Sequence, residues 1–505
     1  MKSETAVVIV GGGLAGMVTA LELVSRGMAV ELFEKSDRLG GKAGADAHPQ
    51  LFDKTGALDP TLSLPEGVES DHGYHVFPKW YTNMRALWKK IGVCESEVYE
   101  GKEYLDIAPA LDGQRQPFAK EPPPNLKQIM SICDLVLQPD AAVNELTLQG
   151  FLRSRDYDPE YDPITLNSFI LNALTIGDMD ISSRACRNVF RQWLPVFSQH
   201  NWDGLKGSLD EILIERLRIA IEQAAIAHEG SFECHFGHQL TALDVCAAGR
   251  ATITIEGDCG ERVYSERPVV LCIPQEVLRT LADDQLYTAA PAISELHYLR
   301  SNPFSAIDVH FDCELPGMID EHFTLTDSPF GLTGFDIARH WPRLAARKNT
   351  VLQFVAANSR GFEGLSAAGF VKVISAELAR YFPEMPERVA YFVPHINTDV
   401  PLFVNDVGSW QHRPSTRLGI ADLYLASDYA QHDTDVTSME GAIRSGLNAA
   451  EALRADHAPT SPAVDIAPTT PLPPELLHMI KLAETDPVEA RLMCVGWLSA
   501  QMRGA

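Results

Sequence analysis

The chain has 505 residues, 45 % of them hydrophobic and 22 % charged, with a formal net charge of −26. That mix excludes a disordered or low-complexity chain, and the length exceeds one simple core, so two domains and a tail are expected. The negative charge repels nucleic acid and anionic membrane surfaces, and no uninterrupted apolar stretch reaches the roughly 18 residues of a membrane span.

Ala6 to Val10 (AVVIV) is short, apolar and β-branched, as a buried parallel strand requires. Leu14 to Arg26 then has helical spacing, with Gly27 as its stop, and Ala29 to Phe33 (AVELF) is a second strand. Ala6 to Val24 has the length of a signal peptide. Gly11, Gly12, Gly13 and Gly16 interrupt it and Glu22 follows, so it reads as strand, turn and helix of the mature fold. The turn holds Gly11-x-Gly13-x-x-Gly16. Gly11 permits the tight turn, Gly13 lets backbone approach a pyrophosphate, and Gly16 lets helix pack on strand. The helix start at Leu14 and Ala15 offers free N–H groups and a positive dipole end. Glu34, ending the second strand, is placed to accept hydrogen bonds from ribose hydroxyls, which completes a dinucleotide fingerprint.

The run Glu34-Lys35-Ser36-Asp37-Arg38-Leu39-Gly40-Gly41-Lys42 resembles the E-x-x-x-R-x-G-G-[RK] continuation of FAD enzymes of the amine oxidase and phytoene desaturase superfamily. The resemblance implies FAD as cofactor. Gly41 then allows close backbone approach, and Arg38 and Lys42 neutralise the pyrophosphate, with Lys35 beside Glu34 in the same site.

Asp46 to Glu69 is rich in Pro, Gly and Asp and reads as a loop. Asp71-His72-Gly73-Tyr74-His75-Val76-Phe77-Pro78-Lys79-Trp80-Tyr81, with Asn83 beyond, resembles the carotenoid desaturase segment G-x-H-x-F-x-x-x-Y-x-N. In that family the segment passes the isoalloxazine ring and enters the substrate domain. The resemblance therefore puts Tyr74 and His75 at the flavin and makes His75 and Lys79 catalytic candidates. Residues 80–200 alternate helical patterns with polar breaks such as Glu121-Pro122-Pro123-Pro124. Two basic runs, Arg85, Lys89 and Lys90, and Arg184, Arg187 and Arg191, read as solvated helix faces.

Gly207-Ser208-Leu209 opens an amphipathic helix from Leu209 to Ala227. Strands are expected at Phe232–Phe236, Thr241–Val245, Ala251–Glu256 and Val269–Ile273. His238-Gln239-Leu240 resembles the family's second FAD segment, in which the Leu240 position meets adenine through its backbone. Residues 290–400 mix strands and helices. Arg413-Pro414, the strand Leu423–Ala426, Ser427-Asp428 and the helix from Ser438 to Leu453 resemble the family's last FAD motif, although Ser427 stands where Gly is usual. Asp428 then contacts the ribityl or pyrophosphate part of FAD, and the backbone at Met439 faces the flavin pyrimidine ring. Residues 456–474 read as a linker and 475–505 as a helical tail.

The implied fold is α/β, α+β overall: a Rossmann-type FAD-binding domain of the amine oxidase type with an inserted, discontinuous substrate-binding domain. The first takes residues 1–84, 205–288 and 413–455, the second 85–204 and 289–412. The nine cysteines, including Cys259, form no CxxC pair, and no histidine spacing suits a metal, so no metal and a cytoplasmic chain are expected. The function implied is hydride removal from an apolar, isoprenoid- or polyene-like small molecule to flavin N5, with oxygen or a quinone as electron acceptor. Peripheral membrane contact through the 85–200 insertion is expected, because such a substrate lies in lipid. The alternatives are an amine or amino-acid oxidase, in which Arg339 binds a carboxylate, and a prenyl-binding escort protein on the same fold. Trp410 lacks the W-x-x-G-G-x-Y context of amine oxidases. Neither oligomeric state nor acceptor is set by these motifs.

Overall fold

The computed structural model describes residues 6–101, 104–120, 124–158, 181–196, 202–246, 249–258 and 260–504. Cys259, and Glu121, Pro122 and Pro123 of the polar break, lie outside them, as does 159–180 of the expected insertion.

Five short strands build one parallel sheet: β1 (Val7–Val10), β2 (Ala29–Phe33), β3 (Ser231–His235), β4 (Val269–Leu271) and β5 (Leu423–Leu425). Their order is β5-β4-β1-β2-β3, and every pair is parallel. The three strands at the centre of the β1 register are apolar because helices and loops cover both faces. The helix Leu14–Val24 is buried along its whole length, in place of the one-sided burial its spacing suggests. It lies between the sheet, the helix Glu215–Ala227 and the helix Met439–His457. Even Glu22 is inside, held by Arg26 at 2.7 Å and Lys90 at 2.5 Å.

The expected amphipathic helix from Leu209 starts with a π-turn, Asp210–Ile214, before Glu215–Ala227 continues as α-helix. Asp71 accepts the Leu209 N–H at 3.1 Å and so caps that wider turn. An antiparallel meander, Gln239–Val245, Ala251–Gly257 and Gly260–Tyr264, follows β3.

A second, eight-stranded mixed sheet runs in the order Phe52–Asp53, Val389–Phe403, Ser301–Phe311, Val351–Ala356, Leu332–Asp336, His322–Leu325, Tyr104–Ile107, Ala119–Lys120. Its first strand comes from the stretch that reads as a loop in sequence. Alternation gives it two unlike faces. Ile307, Val309, Phe311, Leu352 and Phe354 pack on the helix Ala367–Leu378. Phe304, Ala306 and Val355 face the other way, toward Tyr74. A three-stranded sheet, Val76–Pro78, Trp202–Leu205 and Val98–Gly101, bridges the two large ones.

One expectation is corrected. The arginine run at 184–191 is not a solvated face: Arg187 is 2 % exposed and bonded to Asp140 and to the Gln138 carbonyl. Its helix, Ser183–Trp193, turns that side against Leu126–Val136. The tail is helical, as expected, and it packs into the core. It forms the helices Pro474–Leu482 and Pro487–Gly504, and Ala490, Cys494 and Leu498 are fully buried in the same core as Cys133. The stretch before it is strapped down, with the Ala467 N–H bonded to Asn83 Oδ1 at 2.9 Å. Among the described residues the cysteines are free thiols, no group of acids, histidines and cysteines could hold a metal, and no helix is long and apolar enough to cross a membrane.

Truncating the fully buried Leu498 to Ala is expected to cost about 3 kcal/mol, as for other buried leucines. The same change at Leu492, 68 % exposed on that helix, is expected to stay within about 0.5 kcal/mol. Urea denaturation of both variants checks the pair.

Candidate cofactor and active site

Two glycine turns are built against each other. Gly11 adopts φ 104°, and a Cβ on it would overlap the Cys272 carbonyl oxygen. A Cβ on Gly16 would overlap the carbonyl oxygen of Gly11. The Gly40 N–H donates to the Gly12 carbonyl at 2.9 Å, and a Cβ on Gly41 would stand 3.1 Å from Gly13 Cα. Gly13 faces space: the nearest atom to a Cβ there is Gly40 O at 4.0 Å. No side chain caps the helix beginning at Leu14, and its hydrogen-bond ladder starts only with Met17 N–H to Gly13 O at 3.0 Å. The N–H groups of Leu14, Ala15 and Gly16 precede that ladder and point out of the helix end.

Glu34 is buried beside this turn. Its Oε2 accepts the Gly12 N–H at 2.7 Å, and its Oε1 accepts the Ser36 N–H at 2.9 Å. The Glu34 carbonyl accepts the His238 N–H at 2.9 Å, which brings the 235–240 segment alongside. Leu240 there is buried and paired with Ile255. Lys35 is exposed next to Glu34. Arg38 donates to the Ala45 carbonyl and lies 3.7 Å from Asp46, and Lys42 is half-buried.

The last motif closes on the first. Gly446 packs so tightly that a Cβ would come within 2.5 Å of Ala15 O, and Thr19 Oγ1 donates to both Ala15 O (2.8 Å) and Gly446 O (3.1 Å). Met439 opens its helix with Ser438 Oγ capping the Gly441 N–H at 3.1 Å. Buried Arg413 shapes the preceding loop by donating to the carbonyls of Asp428 (2.9 Å), Tyr429 (3.1 Å) and Ala430 (2.6 Å). Ser427, in the position where Gly is usual, gives its hydroxyl to Asp428 Oδ1 at 3.1 Å. These residues fit FAD: an uncapped helix start and a side-chain-free cradle suit a pyrophosphate, and a buried carboxylate suits ribose hydroxyls.

The 70–77 segment lies on the inward face of the large sheet. Tyr74 donates its hydroxyl to Thr333 Oγ1 at 2.6 Å, and its ring packs near His322 (5.2 Å) and Phe335 (6.0 Å). His75 meets His72 edge to face at 4.8 Å. Tyr74 and His75 line a small cavity with Asp71, Phe335, Trp341 and Gln353. Lys79 and Arg339 are not brought there. Lys79 is held by Asp203 at 2.8 Å in the bridging sheet, and Arg339 pairs with Asp336 at 3.2 Å and Glu314 at 3.7 Å.

Burial decides the charge of this wall. It lowers His72 to about 4, His322 and His395 to about 3, and His75 well below the usual range, so all are neutral at pH 7. It raises Asp308 to about 7 and Asp71 well above the ordinary carboxyl range. Ser70, which donates to Asp308 and lies 2.8 Å from His395 Nε2, joins the two. Sequence reading missed this Ser70–Asp308–His395 group. Its one local signal is the polar residue at Asp308 in the apolar alternation of Phe304 to Phe311.

A family model described as flavin containing amine oxidoreductase matches residues 14–454. The 15-cis-phytoene desaturase of Synechococcus elongatus is 25 % identical, over 88 % of this chain and 95 % of that protein. The zeta-carotene desaturase of a Synechocystis species is 24 % identical, over 91 % of this chain and 99 % of that protein. Among solved structures, cyclohexylamine oxidase from Brevibacterium oxydans superposes with a TM-score of 0.63 at 15 % identity, covering 90 % of this chain and 99 % of that one.

A Gly16→Ala variant is expected to lose FAD, with affinity reduced at least about tenfold, because the added methyl drives the helix start off the Gly11 turn. The flavin-to-protein absorbance ratio after gel filtration checks it. Asp308 supplies a pH prediction. Its raised value means the folded protein keeps a proton that the unfolded chain releases. Its contribution is therefore full below the ordinary value of 3.8 and is lost as pH rises through about 7. Asp308→Asn removes that loss. The melting temperature of the variant minus that of wild type is expected to become more positive from pH 5 to pH 8; a constant difference contradicts the buried acid.

Proposed function

The chain belongs to the flavin-containing amine oxidoreductase family, and from that premise we propose that it desaturates or dehydrogenates an apolar, isoprenoid- or polyene-like substrate. The observation that carries this reading is the similarity to two carotenoid desaturases over nearly the whole chain, substrate-side sheet included. The amine oxidase likeness, at 15 % identity, speaks for fold alone.

FAD supplies the hydride acceptor at N5, and the protein orients and shields. The glycine turns and Glu34 hold the adenosine diphosphate end. The start of the Met439 helix presents a positive dipole end, which favours negative charge on a reduced ring. Glu440 does not oppose that field. Its carboxylate accepts the N–H groups of Asn83 (2.8 Å) and Met84 (2.9 Å), capping a different helix, Thr82–Ile91. The Tyr74–His75 wall excludes water and carries neutral histidines, which suits an uncharged hydrocarbon better than a cationic amine.

The amino-acid oxidase reading needs Arg339 for a substrate carboxylate, and Asp336 already engages that guanidinium. An escort protein would not need the cofactor-binding features assembled around Gly13 and Met439. We further assign the chain a cytoplasmic location, an oxygen or quinone acceptor, and peripheral membrane contact through the 85–200 insertion, from which an apolar substrate enters out of lipid.

Anaerobic mixing with polyene or squalene-type compounds is expected to bleach the oxidised flavin absorbance, whereas amines leave it unchanged. Bleaching by amines alone reverses the assignment. Reoxidation of the bleached enzyme by a soluble quinone against air identifies the acceptor.

A further inference from the structure

A cavity of about 580 Å³ lies apart from the flavin cradle. It lies between the Ser183–Trp193 helix, the 431–435 loop and the strap at 469–472. Arg184, Arg187 and Arg191 reach it from successive turns of that helix, and Arg413 from the opposite wall. In a chain of net charge −26 this is an unusual concentration of cations.

Most of these charges are matched. Arg184 pairs with Asp140 at 3.1 Å and Asp435 at 2.8 Å, and Arg187 also pairs with Asp140. Arg413 takes Asp435 at 2.9 Å, and Asp433 is taken by Arg444 at 2.6 Å. Arg191 differs. Its Nε and Nη2 donate only to backbone carbonyls, of Val136 at 2.9 and 2.6 Å and of Gln138 at 3.0 Å. Among the described residues no carboxylate lies within ion-pair distance of it, and its Nη1 has no acceptor. Burial, with Arg187 nearby, lowers it only to about 10, so it stays charged at neutral pH. Asp140 acts on it only through space and is already paired with Arg184 and Arg187, so the charge of Arg191 is incompletely matched. The cleft has spare donors besides. Trp410, beneath Arg184 at 4.0 Å, has a buried Nε1 without an acceptor. Thr469 and Thr470 add hydroxyls on the strap.

We propose that this cleft binds a phosphoryl oxyanion, with Arg191 as its principal ligand and Trp410 Nε1 as a second donor. The backbone carbonyls fix the Arg191 guanidinium and leave its Nη1 to offer a charged donor to an oxyanion, an acceptor-only group. The oxyanion is either a free phosphate or diphosphate, or the headgroup of an anionic lipid. The strap that lines the cleft continues into the Pro474 helix, whose Leu477 is exposed, and Val488, Leu492 and Met493 are exposed on the next helix, so an apolar surface accompanies the polar one. The inference stands whichever compound the flavin oxidises.

The test uses flavin-loaded protein in three forms: wild type, Arg191→Gln and Arg191→Lys. Calorimetry with inorganic phosphate and diphosphate forms one arm. Co-sedimentation with phosphatidylcholine vesicles, with and without phosphatidylglycerol, forms the other. Binding in either arm that falls at least about tenfold in Arg191→Gln and is largely kept in Arg191→Lys supports the site. The arm that responds names the source. Absence of binding by wild type in both arms, or equal binding by Arg191→Gln, overturns it. If Arg191→Gln fails to fold, Trp410→Phe takes its place: weaker binding supports the site and unchanged binding overturns it.

Discussion

Everything at this site depends on two stretches of backbone touching where neither carries a side chain. A Cβ on Gly41 would crowd Gly13 Cα, and the Gly40 N–H donates to the Gly12 carbonyl, while Gly11 and Gly16 are held bare by Cys272 and by Gly11 itself. The contact has two effects. It leaves the start of the Leu14 helix uncapped, with N–H groups aimed at space, and it fixes that space in front of Gly13. A concentration of unpaired donors at a helix end is an electrostatic demand, and a pyrophosphate answers it. Gly446 repeats the device on the far side, so the helix carrying Met439 can lie against Ala15. The family comparisons then name what this geometry already restricts to a dinucleotide.

The rest of the molecule arranges polarity around that cradle. The large sheet gives apolar side chains to its helices and a mixed, largely uncharged face to the 70–77 segment. Burial achieves the neutrality. Histidines there lose their proton and Asp308 keeps one, so the wall carries many polar groups and little charge. The charge is moved outward, into the Arg184–Asp435 and Arg413–Asp435 network that ties the insertion to the last flavin motif.

What was legible in the sequence was what backbone alone requires. Gly11, Gly16 and Gly41 announce themselves because a side chain there would strike or crowd backbone, Gly13 because a side chain would enter the space before the helix, and VVIV and LYL announce buried strands by composition. Features made by convergence were not legible. Ser70, Asp308, Gln353 and His395 are far apart in sequence, and none is unusual by itself. The 184–191 arginines looked like a solvated face because their partners, Asp140 and Asp435, lie on other elements. The tail reads as helical, but its docking does not: Cys494 and Leu498 pack against the Leu126–Val136 helix, far earlier in the chain. The desaturase-like segment points to Lys79, and a substrate carboxylate to Arg339, but Asp203 and Asp336 claim them.

The strand order has a consequence for biosynthesis. β1 sits at the middle of its sheet, but β4 and β5, which cover its side, emerge from residues 269–271 and 423–425. The Met439 helix that completes the cradle comes later still, and the two helices that seal the insertion come last. The ribosome thus delivers the dinucleotide fingerprint long before its closing pieces. Pairing across such separations is slow and leaves strand edges open meanwhile. The cradle is therefore complete only once the Met439 helix has docked against Ala15.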